Sequence, residues 1–161
     1  MPILTLFFMA AVLLLAAPTF AQDAAPSSSD TNMEILMQKI KADKKLLVAS
    51  NMDLTDAEAK SFWPLYDAYQ KELEKINQHL AKTIKDYADA FNKGPISNDV
   101  AKKLLNEALS VQESEVKAKR IYAEKIGKVL PAAKTARYIQ IENKVRALLN
   151  FELARQIPLV Y

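Results

Sequence analysis

The chain reads as all-α, with four helices, two of them long and folded as an elongated hairpin. Three observations predict this. Between Leu54 and Asn92, apolar residues fall at Phe62, Tyr66, Tyr69, Leu73, Ile76, Leu80, Ile84, Tyr87 and Phe91. Spacings of three and four place them in one seam of an amphipathic helix. Only two glycines occur in 161 residues, which leaves little material for tight hairpins or Gly-rich phosphate loops. Finally, a helix from Asp56 to Asn92 would span about 55 Å. A compact globule of about 140 residues has a radius of gyration of about 14 Å, so the rod does not fit inside one.

The first 21 residues carry no charged side chain, and Ile3 to Ala17 is an almost unbroken apolar run closed by Pro18-Thr19-Phe20-Ala21. This pattern predicts a signal peptide cut before Gln22. It lacks a Lys or Arg ahead of the apolar run, and an uncleaved anchor is the alternative, since about 20 apolar residues suffice to span a bilayer. With cleavage, no integral membrane span remains. Residues 22–31 (Gln-Asp-Ala-Ala-Pro-Ser-Ser-Ser-Asp-Thr) have nothing to bury and are expected to form a disordered tether. Residues 32–161 then make a single helical domain.

The first helix is predicted from about Met33 to Ser50, capped by Thr31 or Asn32. Its apolar face is Met33, Leu36, Met37, Ile40 and Leu47, with Lys39, Lys41, Lys44 and Lys45 mostly towards water. The second helix starts at Thr55, with Glu58 three residues on, the arrangement in which each side chain accepts from the other's backbone N–H. Pro64 lies within it and predicts a kink rather than a break, because the seam keeps its phase across it. Gly94-Pro95 ends it. Ser97 caps a third helix, Asn98 to about Val129, with Val100, Leu104, Leu105, Ala108, Val111, Ala118, Tyr122 and Val129 inside. Acid-before-base pairs at i, i+4 (Asp56–Lys60, Asp67–Lys71, Glu113–Lys117, Glu115–Lys119, Glu124–Lys128) mark solvated faces. Pro131 opens a fourth helix at its first-turn position. Its inner residues are Tyr138, Ile141, Val145, Leu148, Leu149 and Leu153, and Gln156 and Pro158 end it before an apolar tail.

Charge is unevenly placed. Residues 22–92 hold 9 basic and 12 acidic side chains, and residues 93–161 hold 13 and 7. The halves attract, and the basic half is left to meet acidic partners or anionic lipid. An exported chain makes nucleic acid an unlikely partner, and none of its motifs points to one.

The second and fourth helices also echo each other at an offset of 76 residues. Leu54, Phe62, Leu65, Tyr69 and Leu73 correspond to Leu130, Tyr138, Ile141, Val145 and Leu149. With its starts Leu54-Thr55-Asp56-Ala57-Glu58 and Leu130-Pro131-Ala132-Ala133-Lys134, the chain resembles the Spy/CpxP family of exported bacterial helical proteins, which carries two Leu-Thr-x-x-Gln motifs. The likeness covers about Met52 to Arg155. It implies a periplasmic four-helix fold pairing as an antiparallel, cradle-shaped homodimer, and a role as an ATP-independent chaperone or as a regulator of an envelope-stress sensor kinase. Glu58 departs from the motif yet preserves capping, whereas Lys134 cannot cap in the same way.

Catalysis and metal binding find little support. There is no cysteine, hence no thiolate chemistry and no disulfide. The only histidine, His79, lies at the seam edge and reads as a flanking or partner-facing residue. Met33 and Met37, which share a face, read as core filler rather than a Cu(I) pair. No metal, cofactor or enzymatic activity is expected. The expected function is binding of unfolded or damaged envelope polypeptides, with the basic fourth helix (Lys134, Arg137, Lys144, Arg146 and Arg155) as contact face. Docking on a sensor kinase is the alternative, and attachment of the fourth helix to a membrane surface a third.

Overall fold

The computed structural model describes residues 42–160. The signal peptide, the tether, the Thr31/Asn32 cap and the apolar residues Met33, Leu36, Met37 and Ile40 lie outside the described residues. Those described form four helices with no strand among them: α1 (42–52), α2 (Asp56–Phe91), α3 (Asn98–Gly127) and α4 (Ala132–Gln156). α2 has 36 residues and α3 has 30, about 54 and 45 Å of rod. They pack along each other as the long hairpin, and α4 returns along α3.

Local chemistry sets each boundary. Asp53 adopts φ 46, a left-handed residue that stops α1. Thr55 then caps α2: its hydroxyl accepts from the Glu58 N–H at 3.3 Å, and the Glu58 carboxylate accepts from the Thr55 N–H at 2.8 Å. α2 is continuous through Pro64. Gly94 turns the chain at φ 117, a conformation open to glycine without cost, and Ser97 accepts from the Val100 N–H to start α3. α3 ends at Gly127, two residues before the predicted Val129. Pro131 serves as the N-cap of α4 rather than its first helical residue.

The core is one cluster of Val48, Met52, Phe62, Tyr66, Tyr69, Ile76, Val111, Ala118, Ile126, Leu130 and Tyr138. It sits where α1, α2 from Phe62 to Ile76, α3 from Val111 to Ile126 and the start of α4 converge. Tyr138 meets Phe62 edge-on at 5.1 Å between ring centres, and Tyr69 stacks on Tyr122 at 4.9 Å. Such aromatic contacts bury large areas and add about 0.5–1.5 kcal/mol each beyond burial.

Several inner faces differ from expectation. In α1 the buried residues are Val48 and Met52, while Leu47 is exposed, because the packed line runs one residue out of phase with the predicted one. Lys44 turns onto the body of the protein, its side chain 20% exposed, instead of towards water, whereas Lys45 stays in solvent, 45% exposed, where it bonds Asp67. In α3, Val111, Ala118 and Ile126 are buried, whereas Val100 and Leu105, and Val129 just past its end, are exposed. Leu148 of α4 is 69% exposed, and Leu149 is also exposed. Asp67 bonds Lys45 of α1, and Glu115 pairs with Arg146 of α4. Both acids tie helices together rather than pairing within their own helix as predicted. The i, i+4 pairs that form in α2 are base-before-acid, Lys82–Asp86 and Lys85–Asp89.

Candidate polypeptide-binding surface

The two helix starts that the repeat aligns meet in space. Lys134 donates to the Glu58 carboxylate at 2.6 Å and to the Asp53 carbonyl at 2.7 Å. The Lys134 ammonium, and then the Thr55 N–H, hold the Glu58 carboxyl below its usual range, since both favour its charged form. Leu54 is half-buried and Leu130 is buried beside this clamp. These bonds lock the starts of α2 and α4 together, and Lys134 is committed to that internal contact.

Deeper in, a polar cluster crosses three helices. Lys44 donates to Gln70 at 2.7 Å and to Glu142 at 2.8 Å, while Gln70 donates to Glu142 at 3.0 Å and to the Tyr138 hydroxyl at 3.2 Å. Glu142 is only 5% exposed, yet among the described residues no buried side-chain polar atom lacks a partner. Burial, and then the Glu142 charge, push the Tyr138 phenol well above its usual range. One turn on, Arg146 pairs with Glu115 and donates to Asn77 at 3.0 Å, and burial holds its guanidinium below its usual range. A cleft of about 90 Å³ between Tyr69, Leu73, Glu115 and Arg146 has room for a few waters but not for an organic substrate. This cluster joins α1, α2 and α4.

The five basic residues of α4 singled out by sequence are thus divided. Lys134 and Arg146 face inward in ion pairs, whereas Arg137, Lys144 and Arg155 are exposed. His79 bonds Glu107 at 2.7 Å and so links α2 to α3. Among the described residues no group of three or more His, Cys, Asp or Glu is placed to hold a metal.

A second surface escaped the sequence reading. On the side of α3 turned away from Val111, Ala118 and Ile126 lie Leu105, Leu109 and Val116, exposed by 59%, 45% and 56%. Leu109, Val116 and Ile121 lie along the outer side of α3 with Glu113, Lys117, Arg120 and Glu124 among them. The signal was present in the spacings of four and seven from Leu105 to Val116. Leu105 lies on this outer line rather than on the inner side predicted for it.

Searches against models of protein families, curated proteins and solved structures return no match.

Proposed function

We propose that this chain is an exported, Spy/CpxP-like binding protein of the periplasm that shields unfolded or stress-damaged polypeptides without ATP. The observation that carries the reading is the outer face of α3. A helix whose inner line is already packed keeps a second apolar line in solvent, interspersed with charges of both signs. Exposed apolar side chains capture short apolar stretches of a client, and the mixed charges keep the capture weak and tolerant of sequence. The apolar N-terminal stretch supports export, and the clamped helix starts support the paired-motif likeness. Antiparallel homodimerisation along the long helices belongs to the same reading, and it would compete with clients for part of this line.

The test is suppression of aggregation of a model client by stoichiometric protein at low salt, beside Leu109→Ser/Val116→Ser. Both substituted positions are exposed, so the variant keeps its helical circular dichroism and is expected to lose most of the suppression. No suppression by the unsubstituted chain, or undiminished suppression by the variant, rejects the reading. A pull-down from envelope extract that returns one dominant partner instead of a broad, salt-sensitive set would transfer the assignment to regulation of a sensor kinase. A monomer mass by light scattering at the working concentration would remove the dimer.

A further inference from the structure

α4 carries an outward line that the polypeptide reading does not use. Arg137, Lys144, Leu148, Phe151 and Arg155 recur at spacings of seven, four, three and four, and all are exposed. Helical periodicity puts them on one side, away from the buried Tyr138 and Glu142. Leu148 and Phe151 are 69% and 60% exposed. The Arg155 guanidinium lies 5.7 Å from the Phe151 ring, a cation held beside apolar surface. The acid bordering this line is Glu152, which accepts from Arg155 at 3.4 Å. Past the helix, the Tyr87 hydroxyl donates to the Pro158 carbonyl at 2.8 Å, pinning the chain just before the exposed Leu159 and Val160. Cations and apolar side chains thus share about 27 Å of one helix face.

We propose that this face binds an anionic lipid surface, with α4 lying in the plane of the headgroups. Arg137, Lys144 and Arg155 would meet lipid phosphates, while Leu148 and Phe151 enter the boundary with the acyl chains. The charge favours an anionic surface. The outer line of α3 mixes acids with bases, Glu113 and Glu124 beside Lys117 and Arg120, whereas the α4 line sets Arg137, Lys144 and Arg155 around Leu148 and Phe151, the pattern that a layer of phosphate headgroups over acyl chains complements. Among the described residues no helix is long and apolar enough to cross a membrane, and the contact is peripheral. It stands independently of client capture, which is placed on α3.

The experiment sediments the full chain with vesicles of neutral phosphatidylcholine and with vesicles half of whose lipid is phosphatidylglycerol. The apolar N-terminal stretch would hold to both, so the readout is the ratio of anionic to neutral retention. That ratio is expected to exceed one and to fall as salt rises. Each exposed cation removed should lower anionic partitioning about fivefold, hence about 25-fold for Arg137→Gln/Lys144→Gln, with Phe151→Ser also reducing it. Lys117→Gln/Arg120→Gln on α3 should leave the ratio unchanged, and circular dichroism verifies that each variant is folded. Phe151→Trp should add a blue-shifted emission component on anionic vesicles alone. Equal retention on the two vesicles, or a ratio indifferent to Arg137→Gln/Lys144→Gln, overturns the proposal. So does Phe151→Trp emission that responds to an acidic amphipathic peptide but not to anionic vesicles.

Discussion

Replacing Glu142 by leucine tests whether the cluster between α1, α2 and α4 holds the fold together. The substitution removes the acceptor shared by Lys44 and Gln70, whose bonds measure 2.8 and 3.0 Å. Loss of one partner from a fully buried ion pair costs about 3–5 kcal/mol. Here the Lys44 side chain is 20% exposed, so its ammonium regains some water and keeps the Gln70 carbonyl. The residual penalty is the Gln70 amide stripped of one acceptor plus a partly dehydrated cation, about 2–3 kcal/mol. For a chain of this size that is roughly 8–12 °C in Tm. The measurement is urea and thermal unfolding at pH 7 followed by far-ultraviolet circular dichroism. The double variant Lys44→Met/Glu142→Leu removes both charges and should recover more than half of the loss. A single Glu142→Leu that costs less than about 0.5 kcal/mol, or a double variant no better than the sum of its singles, would refute the assignment of α1 docking to this cluster.

The two glycines should respond oppositely to alanine, with unfolding in urea as the measure. At Gly94 a Cβ meets no atom within 4 Å but the backbone sits at φ +117, so Gly94→Ala should destabilise by about 1 kcal/mol or more through strain alone. At Gly127, within α3, the nearest contact is the Thr135 methyl at 3.9 Å, and Gly127→Ala should stabilise by about 0.5–1 kcal/mol. At high pH, the phenols of Tyr66, Tyr69 and Tyr138 are raised by burial first and the Glu142 charge second. Their contribution is intact below the unfolded value of about 10 and is lost as pH rises above it, because the unfolded chain then sheds protons that the folded chain retains. Tyrosinate absorbance should therefore include a fraction that appears only together with loss of helix. At the acid end, Glu58 is lowered from 4.5 chiefly by Lys134. The stability it contributes is present above that value and lost as pH falls through the folded one, and Lys134→Met should flatten this part of the acid melt.

What was legible in the sequence was whatever local chemistry writes. Thr55 with Glu58, Gly94, Ser97 and the seam from Phe62 to Ile76 located α2 and the start of α3 because caps, turns and periodicity act within a few residues. The misplacements have non-local causes. Glu142 reads as a solvated carboxylate until Lys44 and Gln70, 98 and 72 residues away, supply its partners. Val48 and Leu47 are adjacent and equally apolar, and the docking of α1 on α2 chooses between them. α3 and α4 each carry two apolar lines, and periodicity says that lines exist without saying which is packed. The basic residues of α4 follow the same rule: positive charge marks the helix as a surface, but only the positions of Glu58 and Glu115 show that Lys134 and Arg146 are internal.

The bond between Glu58 and Lys134 has a consequence for how the chain recognises its own halves. Residues 76 positions apart in a repeat occupy equivalent places, and here those places carry opposite charges. The start of α2 therefore attracts the start of α4 and would repel another start of α2 brought to the same spot by an exchanged helix or a second chain. The difference in charge between the two starts gives each an address: Glu58 and Lys134 specify which start each must find.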